Sequence, residues 1–184
     1  MSSTVADATL LDEVLSEYDF GSRHERRIAA PPERVARAVE DFRVGGRASL
    51  LLRIRGIHLP PGPIGEVLTR SGFTVLAERP GHELVAGTNG RFWAVDELAH
   101  MEAPLDLAAF RAFDRPGSAQ GAISVRLEPL DDGSTALSTE TRVRCVDAAA
   151  RRRFSAYWLL IKVFGGWLRR DFLRSIARAA EDAG

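Results

Sequence analysis

The residues able to do acid–base or metal chemistry are few and scattered. The histidines, His24, His58, His82 and His100, lack metal-ligand spacing, so no metal site is expected. There is no HExxH, no GxSxG and no Gly-rich loop of the phosphate-cradling type. Cys145 is the single cysteine and reads as a buried, inert thiol, because a reactive thiolate needs a depressed pKa. Two places put polar side chains where chemistry could follow. By the two-residue period of a strand, Tyr18, Phe20, Ser22, His24, Arg26 and Ile28 share one face, and Asp19, Gly21, Arg23, Glu25 and Arg27 form the wet one. If the first face lines a cavity, His24 and Arg26 are polar groups in apolar surroundings, the pattern that orients a ligand. If the strand end leaves the sheet, both reach water, the usual fate of an arginine without a partner. Glu140 and Arg142 sit two residues apart on one face of a later strand, with Leu137, Thr139, Thr141 and Val143 on the other. Apolar content makes the Leu137 face the inner one. Glu140 and Arg142 then read as an exposed ion pair worth under about 1 kcal/mol. The opposite reading places them inside, as an acid and an anchor.

These groups need a frame, and composition bounds it. A chain of 184 residues with 45% apolar and 27% charged residues reads as one domain with a sizeable core. A formal net charge of zero argues against nucleic acid as a general partner, since that needs a basic excess to displace counterions. Nearly all positive charge is arginine, with Lys162 the only lysine, which reads as coding bias. Residues 1–17 carry Asp7, Asp12, Glu13 and Glu17 and no base, unlike a secretory signal. The longest apolar stretch, Tyr157 to Leu168, is interrupted by Lys162 and is too short for the roughly 20 residues of a membrane span. With a lone cysteine, the expected location is the cytoplasm.

Along the chain, Leu11, Val14, Leu15 and Tyr18 give a short amphipathic helix within an N-terminal extension, 1–17, ahead of a single domain over 18–184. The first strand ends at Ala30-Pro31-Pro32-Glu33, which suits a first helical turn. Val35, Ala38, Val39 and Phe42 stripe one helix, and Leu50, Leu51, Ile54 and Ile57 a second; the loop Leu59 to Gly65 breaks the pattern. Strands Phe73–Glu78 and Glu83–Thr88 flank the turn Arg79-Pro80-Gly81-His82. Asn89-Gly90 reads as another turn before Arg91–Val95, and a short helix is expected around Leu105 to Phe113. Ser118–Leu130 and Thr135–Val146 form a long hairpin through Asp131-Asp132-Gly133-Ser134. Asp147 caps a final helix running to about Glu181. Its apolar stripe is Phe154, Trp158, Ile161, Phe164 or Gly165, Leu168, Phe172 and Ile176, with its arginines, Arg169 among them, on other faces. Solvation is the plain reading of those basic faces, and docking on anionic lipid the other. Gly165-Gly166 marks either a close approach or a bend; the bend is preferred, because one glycine suffices for a single contact.

A sheet with one apolar face needs cover, and the long helix is the one element expected to supply it. The fold class is therefore α+β, a curved antiparallel sheet wrapped around a long C-terminal helix, with two short helices after the first strand. Ile28–Val35, Leu137–Val143 and the terminal helix resemble the START-like, or helix-grip, superfamily, which includes the birch-pollen-allergen fold and the polyketide cyclases. The likeness covers nearly the whole chain and is greatest to members without assigned activity. It implies a cavity between sheet and helix for a small hydrophobic, amphipathic or aromatic molecule. On that view His24, Arg26, Phe73, Val75, Trp93, Leu127, Thr139, Thr141, Tyr157, Trp158 and Ile161 line it, although Trp93, Tyr157 and Trp158 equally suit plain core. Tyr157 is the better ligand candidate of the three, because a buried hydroxyl needs a partner. Binding or carriage of such a molecule is the first expectation. A cyclase- or dehydratase-like lyase using His24, Arg26 and Tyr157 is the alternative, and a filled-core domain that binds another protein is the third. No cofactor is expected, and the chain is expected to be a monomer or homodimer.

Overall fold

The structure, a computed structural model, describes residues 8–43, 64–93 and 101–182. Alternating sequence makes the strands. β1 (Phe20–Ile28) leads into α2 (Pro32–Glu40), preceded by α1 (Leu10–Val14). Then come α3 (Ile64–Arg70), β2 (Thr74–Arg79), β3 (Glu83–Gly90), β4 (Met101–Glu102), α4 (Leu107–Arg111), β5 (Ala119–Pro129), β6 (Thr135–Cys145) and α5 (Ala148–Asp182). The sheet is antiparallel, in the order β1-β6-β5-β3-β2, with β4 paired to β3. This is the expected α+β class. The expected helix over Leu50–Ile57 lies outside the described residues, as do Ala94 and Val95.

Turn chemistry sets the register. In Arg79-Pro80-Gly81-His82, Gly81 takes φ +74° and the His82 N–H donates to the Arg79 carbonyl at 2.9 Å. Proline followed by a positive-φ glycine is what a type II turn demands. The helix α3 was not among the expected elements. Its stop signal is Gly72, at φ +84°, with the Phe73 N–H reaching back to the Leu68 carbonyl at 3.0 Å, a Schellman ending. Asn89-Gly90, read as a turn, instead completes β3, where Asn89 pairs with Gln120 and Glu102 and Gly90 with Ala119 and Met101. Two flanking strands outcompete the local turn preference.

Asp147 caps α5 as its position foretells. Its carboxylate accepts the Ala150 N–H at 2.7 Å and the Gly117 N–H at 2.6 Å. α5 packs on β1 and β6. Its lower half buries Leu173, Ile176, Ala177 and Ala180 against Ile28, Leu127 and Leu137, each large side chain contributing roughly 2 kcal/mol of burial.

The opposite face of the sheet is covered too, which the single-cover expectation missed. Leu10, Leu11, Val14 and Leu15 join Val85, Phe110 and Ala122 there. The buried Glu83 carboxylate accepts the free N–H groups of Leu10 at 2.9 Å and Leu11 at 3.4 Å, the satisfaction a helix start requires. Arg142 is buried beneath this cover, 2.7 Å from both Glu140 and Asp12. It also donates to the Leu15 carbonyl at 3.1 Å and stacks over Tyr18. The expectation of an exposed Glu140–Arg142 pair is thereby corrected: the N-terminal segment folds back over it. Tyr18 is corrected with it. It precedes β1, and its ring fills the space left by Gly21 on the outer face instead of sharing the face of Phe20.

Candidate functional site

The inner face of the sheet, beneath α5, has three zones. At one end six rings, Phe20, Phe92, Trp93, Phe154, Tyr157 and Trp158, pack mostly edge to face or tilted. At the other lies the aliphatic cluster around Leu127 and Leu137. Between them is a polar hub. His24 stands opposite Thr139 and Ser22 opposite Thr141, and Arg169 reaches down from α5 to donate to the Thr141 hydroxyl at 2.7 Å.

Two glycines of α5 face this hub. A Cβ at Gly166 would lie 3.2 Å from His24 Nε2, and one at Gly165 would lie 3.4 Å from Arg169 Nη1. Close approach therefore accounts for Gly166, whereas a Cβ at Gly165 would make only an ordinary contact with the flexible end of Arg169.

The electrostatics are unbalanced. Arg169 is partly buried, and burial lowers its pKa with no other cause beside it. Among the described residues no carboxylate forms an ion pair with it. His24 is pushed below its usual pKa of 6.5 by burial first, then by the charges of Arg169 and Arg170, so its neutral form is favoured. Its Nδ1 is buried without a hydrogen-bond partner, and so is the Thr88 hydroxyl on the same inner face. Orphaned buried groups are uncommon in folded proteins and call for an explanation.

The sequence-predicted residues divide accordingly. His24, Thr139 and Thr141 meet at the hub. Trp93, Tyr157 and Trp158 belong to the ring cluster, and Leu127 to the aliphatic one. Val75 lies on the inner face of the far edge strand, opposite Ala86, and is 36% exposed. Phe73 is half-buried just before that strand, away from the hub. Arg26 is exposed, so the expectation that it lines the interior is corrected: β1 is an edge strand, and a long side chain there reaches water. The side chain of Ile161 lies outside the described residues. Arg169 was missed, although it sits eleven residues, about three helical turns, after Trp158, a spacing that puts both on one stripe.

Cys145 is half-buried, and its thiol is pushed up to about 12 by burial and by Asp19, against the opposing charge of Arg151. Such a thiol is a poor nucleophile at neutral pH. A groove of 480 Å³ runs between α2 and α5, lined by Arg34, Arg37 and Arg43 but also Asp41 and Asp171. Its charges are mixed and it lies outside the hub. Among the described residues no group of three His, Cys, Asp or Glu could hold a metal ion, and no helix is long and apolar enough to cross a membrane.

A curved antiparallel sheet crossed by one long C-terminal helix fits a helix-grip fold. No family model matches the chain, and no curated protein does. Solved structures do. A protein from Mesorhizobium loti is 17% identical, covering 90% of this chain and 99% of its own, with a TM-score of 0.43. A conserved protein from Geobacillus kaustophilus is 14% identical, covering 89% and 97%, with a TM-score of 0.43. CalU16 from Micromonospora echinospora is 14% identical, covering 88% and 84%, with a TM-score of 0.32. None of these identities carries a ligand or an activity over to this chain.

Proposed function

We propose that the chain binds a small amphipathic molecule between the inner face of its sheet and α5. The observation that supports this best is the hub itself: a buried imidazole nitrogen without a partner beside a partly buried arginine that no acid among the described residues pairs with, set between two apolar clusters. Ligand sites are mostly apolar, with a few polar groups that fix orientation, and this face has that composition. Binding is favoured over proton-transfer catalysis by what surrounds His24. Among the described residues the charges that act on it are Arg169 and Arg170, neither of which accepts a proton, and Arg26 is turned to water. A cyclase-like mechanism needs a second group near His24 that can take or give a proton.

The test is a thermal melt against fatty acids, aromatic polyketides and an environment-sensitive apolar dye. Micromolar binding, roughly −8 kcal/mol, is expected to raise the melting temperature by mass action, and the dye is expected to be displaced. Absence of both a melting shift and a displaceable dye would favour a filled core that serves protein contacts.

A further inference from the structure

The hub sits at one end of a cross-strand row. Thr141 pairs with Ile123, Ile123 with Ala86, and Ala86 with Val75. Directly paired residues of antiparallel strands share a face, so these four side chains form a line across the inner face. Three strand spacings of about 4.8 Å carry that line roughly 14 Å from the hub to the far edge. Its character changes along the way. At the Thr141 end stand Arg169 and His24. Beyond it the row is apolar: Ile123 and the adjacent Leu84 are half-buried, Ala86 between Ile123 and Val75 is fully buried, and Val75 is exposed. α5 packs on β1 and β6, so the β3–β2 end of the row lies past its edge.

We infer that the bound molecule is a monoanionic amphipath, a carboxylate whose head is held by Arg169 and His24 and whose apolar body lies over the accessible surface of Ile123, Leu84 and Val75. This rests on the binding reading above and specifies its ligand. Charge selects the head. Arg169 is a cation partly drawn from water with no carboxylate among the described residues paired to it, and a guanidinium matches a carboxylate with two parallel N–H donors. His24 is favoured in its neutral form and Arg170 is exposed to water, so Arg169 is the partly buried cation of the hub, and one negative charge on the ligand matches it. A neutral imidazole still has one N–H; placed on Nδ1, it gives the orphaned atom a partner in the second carboxylate oxygen. The Thr141 hydroxyl holds the guanidinium over the row.

Isothermal titration of the full chain with decanoate and with decanol separates head from body. Decanoate is expected to bind at least tenfold more tightly than decanol. Arg169→Met is expected to bring decanoate down to the decanol level while leaving decanol unchanged, and Arg169→Lys to restore part of the difference. Unchanged decanol binding also establishes that the variant's apolar surface is intact. Equal affinities in the wild type, or a preference that survives Arg169→Met, overturns the carboxylate site but leaves a general apolar site standing. Binding of neither compound to the wild type overturns the site and the binding reading together.

Discussion

Arg142 stands on the outer face of β6, and Arg169 reaches from α5 to the inner face of the same strand; their surroundings differ in kind. Arg142 is fully provided for: two carboxylates, a backbone carbonyl and an aromatic face meet it within the protein. Burial alone would lower its pKa, but the bonds and charges of Glu140 and Asp12 more than offset this and raise it. Arg169 has the Thr141 hydroxyl and, among the described residues, no acid. A buried charge that is paired and hydrogen-bonded fastens structure, whereas one left short of partners marks a place where something else completes the set. The outer face therefore reads as a clamp that holds the N-terminal segment down, and the inner face as a site.

The sharpest way to break this comparison is to remove each arginine in turn. Arg142→Met leaves Glu140 half-buried without its partner and the Leu15 carbonyl without its donor, and should cost about 3 kcal/mol in urea unfolding. Arg169→Met removes a charge that no acid among the described residues pairs with, so the ligand-free protein should be unchanged or more stable, by on the order of 1 kcal/mol. Losses of similar size in both variants would mean that the two arginines do the same structural work.

The glycines sharpen the inner half. Alanine gains roughly 1 kcal/mol over glycine in a helix interior, but at Gly166 the methyl presses on His24, which is fixed on a strand. Gly166→Ala should therefore lose about 1 kcal/mol net. At Gly165 the nearest atom is the end of a flexible arginine, and Gly165→Ala should gain a few tenths of a kcal/mol. Denaturant melts of the pair check the order, and two equally stabilised variants would return the bend to favour.

Acid gives a smaller effect. The folded pKa of His24 lies below its usual 6.5, so the unfolded chain takes up this proton first as pH falls. The stability held by neutral His24 is complete above about pH 6.5 and is lost as pH drops through the lowered folded value. His24→Gln should flatten the fall of the urea midpoint between pH 7 and 5, and an unchanged slope would assign that fall to other groups. Smallest of all, Cys145 should react slowly with iodoacetamide at pH 7.5 in the native protein and rapidly once unfolded. Fast native labelling would contradict its raised pKa.

Much of the frame is legible in the sequence, because the signals there are local and strong. Alternation marks β1, β5 and β6, Pro80-Gly81 marks a turn, and Asp147 marks the start of α5. The outer cover is not legible in the same way. Nothing near Glu140 and Arg142 in the chain says that Asp12 and Leu15, over 120 residues away, will fold back over them. The site is half legible. His24, Thr139 and Thr141 follow from alternation and pairing, but Arg169 requires following the helical stripe past its apolar members to a charged one. Apolar periodicity favours Leu168 and Phe172, which the structure leaves half-buried, over Arg169 and Leu173, which continue the Trp158 stripe.

The most direct test of an inner-face site is a titration of the isotope-labelled protein with decanoate, followed through backbone amide and arginine side-chain signals by NMR. The account predicts shifts at Arg169, His24, Thr141, Ile123, Leu84 and Val75, with Arg142, Glu140 and Leu15 on the outer face unmoved. No shifts at saturating ligand, or shifts centred on the outer face, would contradict it.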